Sequence, residues 1–250
     1  MLTILTTCKP CNIGQNDLQQ RQAMTTWTFL NPRPEVLVMG TDEGTEEICK
    51  DLGFTWVPDV EKTPEGQVPY LDAMIYLADE MAVTNHIALV SSDIILFQPL
   101  MNCLEVCRNK FQDFCAICRK QQQRTTKKLD FSNDSWKEVV QEGLRWNLAT
   151  SGDLFLYNKG FWKDLPKFVV GRSACDSWLF WKASKMGCLV DLTEALTIID
   201  YQHEYTHWNV KSEGIGESER LYNLKLWQKK RATVHDANWK VLEDFSIVEK

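Results

Sequence analysis

Apolar and polar positions alternate in blocks along the first 97 residues, and the blocks change period from one to the next. Leu2–Thr7, Glu35–Met39, Phe54–Val57 and Ile87–Val90 are short apolar runs of strand length, closed by Gly40, by Pro58 or by a polar step. Between them lie longer segments with helical spacing. Gln15–Phe29 carries Leu18, Ala23, Met24 and Trp27 and stops before Asn31-Pro32. Glu43–Leu52 ends at Gly53, and Tyr70–Ala82 carries Leu71, Met74, Ile75, Ala78 and Met81. The alternation predicts βαβαβαβ and a parallel sheet with helices on its faces. Right-handed crossovers then gather the strand ends on one edge, where such sheets bind ligands.

The second half changes character. Leu100–Asn109 reads as a helix and Phe114–Cys118 as a strand. Arg119–Lys128, with five cations and three consecutive glutamines, reads as a mobile loop. Asp153–Tyr157 is a predicted strand and Phe161–Leu165 a short helical turn. Ser177–Met186 is a helix entered from Gly171–Asp176, and Leu189–Asp191 and Leu196–Ile199 are strand-like. Ser218–Lys229 is a late helix and Trp239–Leu242 a final strand. No repeat or linker divides the chain, so one domain over residues 1–250 is expected.

Composition adds limits. The chain has 250 residues, 44% hydrophobic and 25% charged, which is ordinary globular usage. The net charge of −6 argues against nucleic acid as a partner. No apolar run is long enough for a transmembrane segment, and Met1–Leu5 lacks the basic and apolar regions of a signal peptide. Nine cysteines, an odd number in a chain too large to need staples, read as reduced thiols and a cytoplasmic location. Cys8/Cys11 and Cys115/Cys118 form CxxC pairs, but they lie too far apart for a zinc ribbon, and the second pair sits in an apolar run.

Three groups stand out for chemistry. Asp93 follows Ser91-Ser92 at the end of the fourth strand, where a carboxylate can hold a divalent cation against a diphosphate; it can equally be a turn former. Asp176 opens a helix beside Trp178 and Trp181. Helix N-cap is the plain reading; a general base, raised in proton affinity by the indoles, is the sharper one. The tryptophans would then be part core and part wall of a sugar pocket. His203-Glu204-Tyr205-Thr206-His207 matches HExxH, in which His203 and His207 bind zinc and Glu204 activates water. That reading needs a helix, whereas the β-branched run before it and Gly214 and Gly216 after it resist one. In an extended strand Tyr201, His203, Tyr205 and His207 would share a face. Asp153, after Gly152, could accept hydrogen bonds from sugar hydroxyls, or form a turn.

The order of these features resembles nucleotide-sugar glycosyltransferases of the GT-A fold, and more narrowly a family-2-like group of bacterial and plant-like proteins of about this length. The resemblance runs from Leu5-Thr6-Thr7 through Trp27…Pro32-Arg33-Pro34-Glu35 and Gly40-Thr41-Asp42-Glu43-Gly44. It continues in Ser92-Asp93-Ile94-Ile95-Leu96, Gly171-Arg172…Asp176-Ser177-Trp178-Leu179 and Gln202–His207, as far as Asn238. It implies an α/β Rossmann-type, mixed but mostly parallel sheet flanked by helices, in one GT-A-like domain with 1–97 as its nucleotide-binding half and 98–250 as its acceptor-binding half. It implies transfer of a sugar from a nucleoside-diphosphate donor to an acceptor hydroxyl, on a glycan or another molecule. Thr6, Thr7 and Asp42 fall where such folds hold the nucleotide, and Arg172 is a cation for the anionic donor. The family's DxD motif, which holds Mn²⁺ or Mg²⁺ on the diphosphate, is here Ser91-Ser92-Asp93. Only its last carboxylate is present, so the metal ligands implied are Asp93 with His203 or His207. Asp176 matches the base of inverting members, with Asp153 and Trp178 toward the substrate. The competing readings are a zinc metallopeptidase through His203-Glu204-x-x-His207, a nucleotidyltransferase on a related sheet, and a non-catalytic sugar-nucleotide-binding relative.

Overall fold

The computed structural model describes residues 1–11, 14–65, 67–123, 127–201 and 215–250. The predicted alternation is present. Strand β1 (Thr3–Thr6), helix α1 (Gly14–Trp27), β2 (Glu35–Met39), α2 (Thr45–Leu52), β3 (Thr55–Val57), α3 (Leu71–Met81) and β4 (His86–Val90) follow in order. β5 (Ile94–Ile95), α4 (Pro99–Lys110), β6 (Cys115–Ile117), β7 (Gln121–Gln123), α5 (Trp136–Gln141), β8 (Arg145–Trp146) and β9 (Leu154–Asn158) come next. The chain closes with α6 (Cys175–Lys185), β10 (Leu189–Asp191), β11 (Ile199–Tyr201), α7 (Ile215–Trp227), a 3₁₀ turn (Val234–Asp236), β12 (Trp239–Val241) and β13 (Ile247–Glu249).

Nine strands make the main sheet, in the order β13-β12-β10-β6-β9-β4-β1-β2-β3. The pairs among β3, β2, β1 and β4 are parallel, as are β6–β10 and β10–β12. β9 runs antiparallel between β4 and β6, and β13 antiparallel to β12. The sheet is therefore mixed but mostly parallel. Alternation along each strand feeds two cores. Ile4, Val36, Val38, Ala88, Leu154 and Leu156 pack against α1, α2 and α4 on one face. Leu5, Leu37, Met39, Ile87, Phe155 and Tyr157 pack against α3 and α6 on the other.

A second sheet, β5-β11-β7-β8, covers one edge of the first. Here the sequence reading needs correction. Arg119–Lys128 is not a loop throughout, because Gln121–Gln123 pairs with both β11 and β8. Phe161–Leu165 forms no helix: Phe161 and Trp162 are buried against each other edge to face, and that packing holds an irregular path.

Candidate functional site

The parallel strands end together, and their loops enclose a cavity of about 450 Å³. β1 supplies Thr7, Cys8 and Lys9, the loop after β2 supplies Asp42, and the step after β4 supplies Ser91, Ser92 and Asp93. The antiparallel β9 begins at the same edge, which brings in Ser151, Gly152 and Asp153. Lys120 and Asp200 form the floor, from the segments before β7 and within β11. Arg172 and the start of α6 with Asp176 close the remaining side.

Of the residues singled out from sequence, Thr7, Asp42, Asp93, Asp153, Arg172 and Asp176 thus line one cavity. Thr6 is the last residue of β1, fully buried and turned away from it. Trp178 is also outside it: the indole is buried against Phe168 and Trp181, so it is a core residue of α6. His203, Glu204 and His207 lie outside the described residues.

Asp176 is not the helix cap. The cap position is Ala174, in the left-handed region at φ 84°, and Asp176 lies in the first helical turn. Its carboxylate accepts from the Gly152 backbone N–H at 3.2 Å and the Cys175 thiol at 3.4 Å. Burial, and then the negative charge of Asp153, push its pKa up to about 7, and those two donors and Lys120 only partly oppose them. The carboxyl group is therefore poised to exchange a proton near neutral pH.

Asp93 is buried and paired with the Lys9 ammonium. The two serines before it, of which Ser91 stands where the motif has its first acidic residue, are engaged elsewhere. Ser91 donates to Asp153 at 2.9 Å and Ser92 to Gln20 at 2.6 Å. Gln20 also accepts from the Lys9 backbone N–H and donates to the Lys9 carbonyl, so α1 fixes the loop that carries Lys9. Sequence reasoning missed the floor of the site. Lys120 is almost fully buried and bridges Asp153 at 2.7 Å and Asp200 at 2.6 Å. Its two carboxylate partners outweigh burial and raise its proton affinity, so the ammonium form is fixed. Burial, with help from Asp93 and Asp153, pushes Asp200 up to about 6 against the pull of Lys120. The missed signal was a lysine immediately before the triplet Gln121–Gln123, which placed it at a strand start.

The donor set suits a hard divalent cation in one specific way. No group of three His, Cys, Asp or Glu side chains is placed to hold a metal alone among the described residues. Mg²⁺ and Mn²⁺ sites often use only one or two carboxylates and complete their shell with substrate phosphates. Asp93, with Asp200 near enough for their charges to interact, can offer that partial shell. The cavity also has more carboxylates than cations. Asp42, Asp93, Asp153, Asp176 and Asp200 face Lys9, Lys120 and an Arg172 already paired with Glu219.

A mixed, mostly parallel sheet between helical layers, with its cavity at the carboxyl edge and an acidic residue after the fourth strand, is the GT-A glycosyltransferase fold. Solved structures agree. The chain is similar to residues 1–349 of S. aureus TarS in complex with UDP-GlcNAc, with a TM-score of 0.58 and 13% identity over 92% of this chain and 66% of that one. It is similar to the mannosyltransferase PcManGT of Pyrobaculum calidifontis in complex with GDP-Man and Mn²⁺, with a TM-score of 0.54, 13% identity, and coverage of 94% and 68%. It is also similar to Mycobacterium tuberculosis glucosyl-3-phosphoglycerate synthase with Mn²⁺, UDP and glucosyl-3-phosphoglycerate, with a TM-score of 0.52, 10% identity, and coverage of 100% and 87%. The chain spans about two thirds of the TarS length. No family model and no curated protein matches it in sequence.

Proposed function

We propose that this protein transfers a sugar from a nucleoside-diphosphate donor to an acceptor hydroxyl with inversion, Asp176 being the general base. One observation carries the reading. The cavity at the carboxyl edge is lined both by Asp93 and by Asp176, whose carboxyl group burial raises to about 7. Transfer needs the leaving diphosphate neutralised and the acceptor oxygen deprotonated, with both held in line.

Residues 1–97 hold the nucleotide, with Thr7 and Asp42 at its base and ribose end. The diphosphate lies toward Asp93, with Arg172 as a cation beside it. A divalent cation held by Asp93, when bound, supplies charge neutralisation of the leaving group. His203 and His207 are kept as its further ligands. Residues 98–250 hold the acceptor, with Asp153 accepting from a sugar hydroxyl. Asp176 takes the acceptor proton as the oxygen attacks. Gly152 N–H holds Oδ2 of that carboxylate, and Oδ1, which accepts only the weak Cys175 thiol donor, takes the proton. No disulfide joins any of the nine cysteines, which supports a reducing, cytoplasmic setting. No helix of the described residues is long and apolar enough to cross a membrane.

The test is Asp176→Asn. It keeps the shape and can still accept from Gly152, so nucleoside-diphosphate binding should stay at the wild-type level. Turnover should fall on the order of 10²–10⁴-fold. Wild-type turnover in a folded Asn variant would end the general-base assignment.

A further inference from the structure

The cavity wall that carries Arg172 and delivers Asp176 is not held by its own sheet. It is gripped from outside by α7. Val170 to Ala174 has no regular structure, and it ends in Ala174 in a left-handed conformation just before α6. Such a segment needs partners for its backbone groups. The Pro69 carbonyl takes the Val170 N–H at 3.1 Å, and Asn223 supplies the partners at Val169 and Ser173. Its side chain is fully buried, accepts from the Val169 N–H at 2.8 Å, and donates to the Val169 carbonyl at 2.9 Å and the Ser173 carbonyl at 3.3 Å.

One turn earlier on the same helix face, Glu219 takes the Arg172 guanidinium. Oε2 accepts from Nε at 2.9 Å and Nη2 at 2.7 Å, and Oε1 accepts from the Thr63 hydroxyl at 2.8 Å. Both members of this ion pair are largely buried, with side-chain exposures of 11% and 8%. A buried ion pair is a weak way to gain stability, because apolar groups of similar volume often do as well. Its geometric yield is larger. Two adjacent N–H bonds on one carboxylate oxygen fix the guanidinium's position, and Arg172 is the cation that lines the cavity.

We infer that Glu219 and Asn223 are positioning residues: from α7 they set the place of Arg172 beside the donor diphosphate and of Asp176 beside the acceptor hydroxyl. This rests on the transferase reading above. Neither residue touches the cavity, and each acts on a different end of the reaction. Asn223 holds the backbone on both sides of Arg172 and up to Ser173, three residues before Asp176. The charged and titratable groups that face Asp176 are Asp153 and Lys120 from the floor and Cys175 from its own helix. Loosening the segment would admit water to Asp176 while leaving those three in place.

The experiment measures nucleoside-diphosphate release from a UDP- or GDP-linked hexose, against donor concentration and pH, for four variants. Asn223→Ala should lower kcat about tenfold or more, keep the donor KM within about threefold, and move the acid limb of the rate profile down from about pH 7. Glu219→Ala should instead raise the donor KM about tenfold and leave the acid limb in place. Glu219→Gln still accepts from Arg172 and Thr63, and should restore most of that loss. Wild-type kcat, KM and acid limb in folded Asn223→Ala and Glu219→Ala would overturn the inference. If Asn223→Ala does not fold, the Glu219 pair decides: wild-type KM in the alanine variant overturns it. Asp176→Asn, assayed alongside, separates the two ideas. Absence of nucleoside-diphosphate release by the wild type sinks the transferase reading, and unchanged turnover in Asp176→Asn sinks its general-base assignment; loss there, with none in the α7 variants, sinks only the positioning role.

Discussion

The carboxyl of Asp176 couples catalysis to stability in opposite directions. Its native proton affinity, near 7, lies well above the unfolded value of about 3.9. The native state therefore binds this proton more tightly than the unfolded chain. That contribution to stability is fully present below pH ~4 and is lost as pH rises through about 7. Asp176→Asn removes the titration. The variant should melt like wild type near pH 4 and be more stable by about 1–3 kcal/mol at pH 8. Calorimetry at the two pH values reads the difference; equal melting at pH 8 would mean that the carboxylate is better solvated than its position implies. The same group predicts that turnover rises with pH through about 7 along a single acid limb. Residue chemistry was partly legible in the sequence. A carboxylate at a helix start next to tryptophans pointed to Asp176, yet the indole of Trp178 is core. Its proton affinity comes from general burial and from Asp153 across the cavity, which local sequence does not reveal.

Strands and helices with clear periodicity came out close to their predicted bounds; the burial of polar side chains on them did not follow from the pattern. Helix α1 keeps its predicted bounds within two residues, but the burial of its Gln19, Gln20 and Gln22 was not predicted. Gln20 is consumed by the Lys9 backbone and Ser92, and Gln22 by Tyr201 and the Leu129 backbone. A polar side chain whose partners lie far away in sequence looks the same as one facing water. The Gly152 turn belongs to this scale too. A Cβ there would lie 2.6 Å from Phe155 and 2.9 Å from Phe180, both rigid rings of the core. Gly152→Ala should cost about 1–3 kcal/mol by overpacking and displace the N–H that holds Asp176. Chemical denaturation and the turnover rate should fall together; loss of neither would mean that the rings yield freely.

At the scale of the molecule, the cavity exists because two sheets meet over buried charges. Lys120 precedes β7 of the small sheet, Asp200 lies on β11, and Asp153 leads into β9 of the large one. One ammonium group thus ties both sheets at the floor of the site. Lys120→Met would leave the buried Asp200 and the partly buried Asp153 without their cation, at a cost of about 3–5 kcal/mol near neutral pH. The deficit should shrink as pH falls toward 5 and Asp200, raised to about 6 by burial, takes up its proton, and melting curves across that range would show it. A deficit independent of pH would point to lost packing instead. The parallel half of the fold was legible because each strand and helix there is local and periodic. The second sheet was not, since its strands are two or three residues long and their pairing joins segments far apart in the chain.

The most direct measurement is the thermal stability of the whole protein with UDP, GDP, dTDP, ADP and CMP, each with Mn²⁺ and with a chelator. A ligand at 100 times its dissociation constant adds about 2.7 kcal/mol, a shift that melting resolves easily. The account predicts stabilisation by a nucleoside diphosphate, greater with Mn²⁺ than with chelator, and lost in Asp93→Asn. Stabilisation by none of the five, with or without metal, would contradict it.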